Sequence, residues 1–302
     1  MEQPKWQEYM LPILKFLYNK KEEGRHSIVE AIAKATKLTE ALKAETITNG
    51  EPRYSNRIGW ALTYLKQSAL INSPRRGVFS ITERGKKTVD EKPKSLSRKD
   101  LEQYEEYQEF KKRKKQTSSE DEDDEALDLT PEEMIESAEK SIRGSVCSDL
   151  LQKARSISPS AFEDLVIDLI KKMGYGDEND SLSGLRIGGS GDGGIDGIIK
   201  EDKLGLDIIY IQAKRYKDSN SVSAGIVRDF IGALNIKGAK KGIIITTSSF
   251  TKEAIKHSED LKEPRIVLID GERLVELMYE FGIGVSEQKF VSIKSTDYSY
   301  FE

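Results

Sequence analysis

The stretch GGSGDGGIDGIIKEDKLGLDIIYIQAKRY, residues 188–216, decides the fold of the C-terminal half of the chain. A glycine-rich segment leads to Asp196, which starts a short apolar run, and a β-branched run from Ile208 to Ala213 contains Gln212 and is followed by Lys214. Runs of this kind favour β-strands. Alternate residues of a strand share a face, so Gln212 and Lys214 point the same way. If the two runs pair side by side, Asp196 converges on the same point.

Two oxygen ligands with an ammonium beside them suit a hydrolytic metal site. The carboxylate of Asp196 and the amide oxygen of Gln212 can hold a hard divalent cation such as Mg²⁺, and Lys214 can orient the attacking water or stabilise negative charge. Gln212 brings a neutral oxygen where Glu would add a charge, so we expect weaker metal affinity that depends on bound DNA. We interpret the site as that of a nuclease. The alternative is that Asp196 caps a turn and Lys214 is an ordinary strand-end lysine.

The residues that follow predict an α/β architecture. Strands are predicted at 242–247 and 265–269, and helices at 224–235, from 251 and from 271. This alternation implies a mostly parallel or mixed central sheet with flanking helices, and such sheets place sites at strand ends. Ahead of the sheet, Ser158-Pro159 predicts the start of a helix, with the serine as N-cap and the proline at the first helical position.

Three sequence blocks resemble a known family. Asp196, a spacer of fifteen residues and the Gln212-x-Lys214 strand are similar to the PD-(D/E)xK nuclease superfamily, in which the first acidic position of the second motif is sometimes Gln. GGSGDGGIDG, IYIQAKRY and GIIITTSSFTKEA together resemble the Mrr family of modification-dependent (type IV) restriction endonucleases. The resemblance extends from the N-terminal region to the closing Tyr300-Phe301-Glu302.

The resemblance implies a restriction-endonuclease-like domain that cuts double-stranded DNA carrying methylated adenine or cytosine, in host defence. Cutting both strands needs two active sites, so we expect a homodimer or homotetramer. In nuclease folds of this kind the first helix can offer a carboxylate to the site, which makes Glu163 a further catalytic candidate; an ordinary surface position is the alternative. Two rival functions are a repair nuclease that cuts branched DNA and a catalytically inactive DNA-binding regulator.

Phosphate contacts are predicted at two places in this half. Gly193 and the neighbouring glycines permit positive φ and close approach of backbone amides to a phosphate. Thr247 and Ser248 end a predicted strand before a helix N-terminus, where phosphates bind readily, although helix capping explains them equally well. The glycine spacing is not that of a P-loop, which argues against nucleotide binding.

The N-terminal region, 1–92, is predicted to be an α+β winged helix-turn-helix domain that binds DNA. Helical patterns are followed by two short strand-like runs joined by Pro74-Arg75-Arg76-Gly77, and the region carries a net charge of +6. Base or phosphate contacts are expected at the start of the second helix of the pair and backbone contacts at the hairpin tip. The candidate residues are Tyr54, Asn56, Arg57, Arg75 and Arg76. Solvated polar faces, or a module that binds protein, are the alternatives.

Charge runs mark the segment between the two domains. KKRKK at 111–115 and EDEDDE at 120–125 lie in a region, 93–145, that is predicted to be a partly disordered linker with a net charge of −6. A local helix from Leu101 to Phe110 is the alternative within it. One hypothesis is that the acidic run folds back on a basic DNA-binding surface and competes with DNA. The nuclease domain is then predicted to occupy 146–302.

Composition excludes several other classes of protein. The 302 residues contain a single cysteine, Cys147, and neither of the two histidines, His26 and His257, has a metal-ligand partner at suitable spacing. No apolar run is long enough to cross a membrane, and the N-terminus lacks the pattern of a secretory signal. We therefore expect a cytoplasmic protein.

Overall fold

The computed structural model describes residues 2–115, 128–176, 185–186, 194–201, 206–217, 220–287 and 293–294. Gly193, the acidic run at 120–125 and the closing residues 300–302 lie outside the described residues. The chain divides into two compact units, Met1–Lys140 and Ser141–Glu302. Among the described helices, none combines the length and apolar character that crossing a bilayer requires.

The first unit packs helices against a small antiparallel sheet. After a 3-10 turn at Trp6–Tyr9, its elements are α1 (Met10–Leu17), β1 (Glu23–Gly24), α2 (Arg25–Ala35), α3 (Glu40–Ala44), α4 (Arg53–Gln67), β2 (Ile71–Arg75), β3 (Val78–Ile81), α5 (Glu83–Asp90), α6 (Arg98–Leu101), α7 (Glu105–Lys115) and the first part of α8 (Pro131–Ser156). The strand order is β1-β3-β2, and β3 runs antiparallel to both neighbours. The predicted hairpin is therefore present, with Gly77 at φ +67° in its turn.

Part of the segment predicted to be a linker contributes to the core of the first unit. Leu96, Leu101 and Tyr107 are buried in the cluster that also contains Tyr64. The Tyr64 ring lies 6.1 Å from the ring of Tyr107 and 5.9 Å from that of Phe110, centroid to centroid. The compact unit therefore extends beyond the predicted boundary at residue 92. A few apolar side chains are enough to attach these short helices, even though charged residues dominate their composition.

The second unit is built on a mixed five-stranded sheet. Its elements are the rest of α8, α9 (Pro159–Lys172), β4 (Leu185–Arg186), β5 (Gly197–Lys200), β6 (Ile208–Lys214), α10 (Ala224–Ile236), β7 (Lys241–Thr246), α11 (Lys252–Glu259), β8 (Arg265–Ile269) and α12 (Gly271–Glu280). The strand order is β4-β5-β6-β7-β8. The first three strands pair antiparallel and the last three parallel, so the predicted mixed sheet with flanking helices is confirmed.

Helices cover both faces of this sheet, and the side chains of β6 point alternately to one face and to the other. Ile211 and Ala213 pack in the same cluster as Phe162 of α9, whereas Tyr210 packs with Phe230 of α10. Gln212 and Lys214 alternate with the first set, so they point to the α10 face. The start of α9 is as predicted, because the Ser158 hydroxyl accepts a hydrogen bond from the Ala161 amide at 3.1 Å.

Candidate active site

Backbone pairing between β5 and β6 places Asp196 beside Gln212. The antiparallel register pairs Gly197 with Ile211, and the Asp196 amide donates to the Ile211 carbonyl at 2.8 Å. On the other side of Gln212, the Ala213 amide donates to Asp196 Oδ2, also at 2.8 Å. Asp196 is therefore held at its backbone and at its carboxylate by the two residues that flank Gln212. The side-by-side arrangement expected from the sequence is present.

The Gln212 amide is buried, and only its nitrogen has a hydrogen-bond partner among the described residues. Its side chain donates from Nε2 to the Gly194 carbonyl at 2.7 Å, and the residue is only 2% exposed. A carbonyl can only accept, so this contact fixes which end of the amide is nitrogen. Within the described residues, Oε1 is buried and has no hydrogen-bond partner. An unsatisfied buried acceptor costs about 1–3 kcal/mol, so a ligand that binds Oε1 is favoured at this position.

Gly194 makes the close approach of these groups possible. Its φ is +83°, in the left-handed region that favours glycine. A Cβ at this position would overlap the Gln212 amide nitrogen and would lie 3.8 Å from Lys214 Nζ. The amide and the ammonium therefore lie on the same side of Gly194, as expected if Gln212 and Lys214 share a face of β6. A side chain on residue 194 would push the amide out of position.

The strand end that carries Lys214 is tied to the neighbouring strand. Its carbonyl accepts hydrogen bonds from the Thr246 hydroxyl at 2.7 Å and from the Thr247 amide at 3.3 Å. The Thr247 hydroxyl accepts from the Tyr216 amide at 2.9 Å and donates to the Tyr216 carbonyl at 2.7 Å. Thr247 is fully buried. Its hydroxyl links the ends of β6 and β7 through Tyr216. The predicted contact of this hydroxyl with a phosphate is not part of that interaction.

Two arginines that the sequence analysis did not single out complete this connection. Arg155 of α8 donates from Nε to the Thr247 carbonyl at 3.0 Å, and Arg215 donates from Nη1 to the Arg155 carbonyl at 2.8 Å. These two hydrogen bonds link α8 to the residues that directly follow β7 and β6, next to Lys214. Strand alternation gives a partial signal for Arg215, which follows Lys214 and must point to the other side. Nothing in the local sequence identifies Arg155, which lies 60 residues away from Arg215.

The remaining candidates of this unit are Glu163, Ser248 and Gly193. Glu163 is half-buried on α9, which packs against the sheet face opposite Gln212 and Lys214. Ser248 is 6% exposed, and its hydroxyl is buried without a hydrogen-bond partner among the described residues. Gly193 lies outside the described part of the chain. The structure thus brings together Asp196, Gln212 and Lys214.

In the first unit, the five DNA-contact candidates fall into two groups. Asn56 is 7% exposed, Tyr54 packs against the core, and Arg57 donates to the carboxylate of Glu133 and to the carbonyls of Gln3 and Pro4. Arg75 and Arg76, by contrast, are exposed at the hairpin. The hairpin arginines are therefore accessible, whereas the α4 candidates are covered.

The side chains of Asp196 and Gln212 offer oxygen ligands with a single negative charge, which suits a hard cation. Over the residues that the structure describes, no group of three or more His, Cys, Asp or Glu side chains could hold a metal ion. The β5–β6 pairing places one carboxylate, that of Asp196, beside one buried amide whose oxygen has no hydrogen-bond partner among the described residues, that of Gln212. Oxygen ligands of this kind suit Mg²⁺ and related ions rather than the softer metals that prefer sulfur or imidazole.

A mixed sheet that presents an Asp, Gln and Lys at adjoining strands is the framework of a restriction-endonuclease-type domain, and comparison with known proteins agrees. The restriction endonuclease model Mrr_cat matches residues 154–278, and the model of the Mrr N-terminal domain matches residues 6–91. The chain is 35% identical over 311 aligned positions to the type IV methyl-directed restriction enzyme EcoKMrr of Escherichia coli (strain K12), with 100% of both chains covered. The chain belongs to the Mrr family of restriction endonucleases.

Two solved structures of restriction endonucleases show more distant likeness. The MspJI restriction endonuclease in complex with a 27-mer oligonucleotide has a TM-score of 0.36 and 24% identity, covering 53% of this chain and 34% of that one. The DNA modification-dependent restriction endonuclease AspBHI has a TM-score of 0.37 and 17% identity, covering 71% of this chain and 56% of that one. The family assignment rests on the sequence matches, since both TM-scores are low.

Replacing Gly194 tests whether the Gln212 amide must stay where it is. We expect Gly194→Ala to lower the rate of DNA cleavage by about 100-fold, because small displacements of catalytic groups are that costly. Gly174→Ala is the matched control, since Gly174 also has positive φ (+94°) but a Cβ there meets nothing within 4 Å. Both variants carry the same type of backbone strain. Equal cleavage by the two proteins would show that Gly194 does not position the amide.

Replacing Thr247 separates a positioning role from a phosphate contact. Thr247→Val keeps the shape but leaves the Tyr216 amide and carbonyl unpaired, so we expect single-turnover cleavage to fall about tenfold with unchanged DNA affinity. Thr247→Ser restores the hydroxyl and should cleave at close to the original rate. Weaker DNA binding by Thr247→Val with normal cleavage at saturating DNA would instead support the phosphate contact.

Proposed function

We propose that this protein is a modification-dependent DNA endonuclease, which hydrolyses phosphodiester bonds in duplex DNA carrying methylated adenine or cytosine. The observation that carries the proposal is the convergence of Asp196 and Gln212, with Lys214 beside them, at the ends of β5 and β6. Full-length similarity to a methyl-directed restriction enzyme supports the choice of substrate. Restriction of foreign or modified DNA in the cytoplasm is the corresponding biological role.

Mg²⁺ is the proposed cofactor, and Asp196 and Gln212 are its proposed side-chain ligands. The buried, unpartnered Oε1 of Gln212 supports this assignment, because it gives an otherwise costly acceptor a partner. When bound, the ion acidifies water and neutralises charge on the phosphate. The neutral amide contributes one charge fewer than a Glu would, so DNA phosphates are expected to strengthen metal binding.

Each residue of the site has a separate proposed role. The Ala213 amide holds one carboxylate oxygen of Asp196, and the Gly194 carbonyl turns the Gln212 amide so that Oε1 faces away from it. Lys214 orients the attacking water or stabilises negative charge on the phosphate. Glu163 is proposed as an additional carboxylate.

The phosphate-binding proposals concern Gly193, Thr247 and Ser248. Gly193 permits the close backbone approach that a phosphate needs. For Thr247 and Ser248, proximity to the end of β7 supports a phosphate contact through the backbone, since the Thr247 hydroxyl already bonds to Tyr216.

The first unit is proposed to be a winged helix-turn-helix that selects the DNA. Its order of elements supports this, because α1, β1, α2 and α4 precede an antiparallel hairpin and the three strands form one sheet. Base or phosphate contact is assigned to Tyr54, Asn56 and Arg57 on α4, and backbone contact to Arg75 and Arg76 at the hairpin. The basic charge of residues 1–92 favours the same partner.

The proposed reaction has a consequence for assembly. Cleavage of both strands requires two copies of the site, which supports a homodimer or homotetramer. In functional terms, residues 1–92 are proposed to bind DNA and residues 146–302 to cut. Residues 93–145, part of which packs into the core of the first unit, are proposed to connect the two.

Loss of the Asp196 carboxylate should abolish cleavage without abolishing DNA binding. We expect Asp196→Ala to leave plasmid from a methylation-proficient host uncut in the presence of Mg²⁺ and to retain duplex DNA in a gel-shift assay. Asp168→Ala, which removes an exposed carboxylate from α9, is the matched control and should cut normally. EDTA should inactivate the unaltered protein.

The same assay tests the substrate class. Plasmid from a methylation-deficient host should resist cleavage, and four-way junctions should be cut no faster than linear duplex. Full cutting by Asp196→Ala would remove the catalytic assignment, whereas preferential cutting of unmodified junctions would favour a repair nuclease.

A further inference from the structure

The helix that is proposed to read DNA is covered in this structure. Of the fifteen residues of α4, only Lys66 is exposed. Ile58, Leu62 and Leu65 pack into the core of the unit, so Asn56 and Trp60 lie towards the opposite side of the helix. Even there Asn56 is 7% exposed, with Oδ1 buried and unpartnered among the described residues. A helix that enters the major groove needs this side open.

Carboxylates from one short segment provide much of the cover. Glu133 Oε1 accepts from Arg53 Nη1 and from Arg57 Nε, both at 2.9 Å. Glu136 Oε2 accepts from Arg53 Nη2 at 3.1 Å, and Glu132 Oε2 accepts from the Trp60 indole at 2.7 Å. All three glutamates lie in the first two turns of α8.

Asp128, three residues before the start of α8, makes similar contacts with the start of the chain. Asp128 accepts hydrogen bonds from the Lys5 ammonium and from Gln7 Nε2, the second at 2.9 Å. We call Asp128, Glu132, Glu133 and Glu136 together the carboxylate segment. It binds donors from the start of the chain and from α4.

The donors that the segment occupies are those that commonly bind DNA phosphates. Guanidinium, ammonium, amide and indole N–H groups all donate to phosphate oxygens, and arginine matches carboxylate and phosphate equally well. Burial alone would raise the pKa of Glu133, but the Thr130 amide and the Arg53 and Arg57 guanidiniums outweigh it and hold this pKa below its ordinary value. Glu133 therefore stays ionised at neutral pH and presents an anion to α4.

We propose that the carboxylate segment is an internal competitor of DNA, which occupies the α4 surface in the DNA-free protein and is displaced when duplex DNA binds. The proposal rests on the proposed DNA-binding role of the first unit. It adds a regulatory step, since α4 is not available until the glutamates leave. Duplex DNA is the partner that fits, because its phosphates repeat the charge and the acceptor oxygens that the segment supplies.

The glutamates of the carboxylate segment differ in burial, and this difference guides the choice of variants. The Glu133 side chain is 1% exposed and pairs with Arg57 at 12%, so its removal would leave buried arginines without a counter-charge and endanger folding. Glu136 is 35% exposed, and Glu132 is half-buried. Replacing these two by Gln keeps an acceptor oxygen for Arg53 and for Trp60 but removes the negative charge.

Hydrogen exchange of the unaltered full chain tests the displacement directly. With a modified duplex present and EDTA added to prevent cleavage, amides in the first two turns of α8 should exchange faster, while the hairpin that carries Arg75 and Arg76 becomes protected. Protection of the hairpin with unchanged or slower exchange of α8 would overturn the proposal, because DNA would then bind without moving the segment.

Binding measurements on charge variants provide the second arm. In the cleavage-deficient Asp196→Ala chain, Glu132→Gln/Glu136→Gln should bind duplex DNA about three- to tenfold more tightly at low salt, and the gain should shrink as salt rises. The control is Glu105→Gln/Glu139→Gln, which removes the same charge from two exposed positions of the same unit. Equal affinity of the two doubly substituted proteins would overturn the proposal.

A third variant distinguishes failure of this proposal from failure of the proposed DNA-binding role. Arg75→Ala/Arg76→Ala should weaken retention of duplex DNA. If it does so while the carboxylate-segment variant binds like its control, only the internal competitor is wrong. If it leaves retention unchanged and α8 exchange is also unaffected by DNA, both proposals are overturned.

Discussion

The antiparallel pairing of β5 with β6 is the constraint on which the candidate site depends. Two backbone contacts, one to each neighbour of Gln212, fix the position of Asp196. A slip of one residue in this register would carry the acid to the opposite face of the sheet, away from Gln212 and Lys214. The apolar alternation of β6 protects the register, because Ile211 and Ala213 are buried against α9 when it is correct. Core packing and active-site geometry therefore depend on the same set of strand contacts.

Local sequence predicted those parts of the fold that local chemistry determines. Ser158 caps α9, the turn at Gly77 joins a hairpin, and strand alternation puts Gln212 and Lys214 together, because each depends on residues close in sequence. The connection from Arg155 to Thr247 was beyond reach, since its partners are 92 residues apart. The same is true of the cover on α4, whose glutamates lie 72 to 83 residues away from their partners.

In the segment that follows residue 92, charged residues dominate the composition but a few apolar residues decide the packing. Residues 93–115 have few aliphatic side chains, yet Leu96, Leu101 and Tyr107 are enough to bury one side of this segment against α4 and its neighbours. Carboxylates also serve opposite purposes in the two units. In the first unit Glu133 neutralises arginines inside the protein, whereas in the second Asp196 is proposed to hold a cation from outside it. The number of acidic residues in a region is therefore a poor guide to its function.

A metal titration tests the central claim, that Asp196 and Gln212 together form a divalent-cation site. Mn²⁺ binding can be followed by electron paramagnetic resonance on the full chain with duplex DNA, using Lys214→Ala to prevent cleavage while keeping both ligands. The account predicts a site that is lost on adding Asp196→Ala, weakened by about tenfold or more on adding Gln212→Ala, and strengthened on adding Gln212→Glu. Identical Mn²⁺ binding by all four proteins would contradict it.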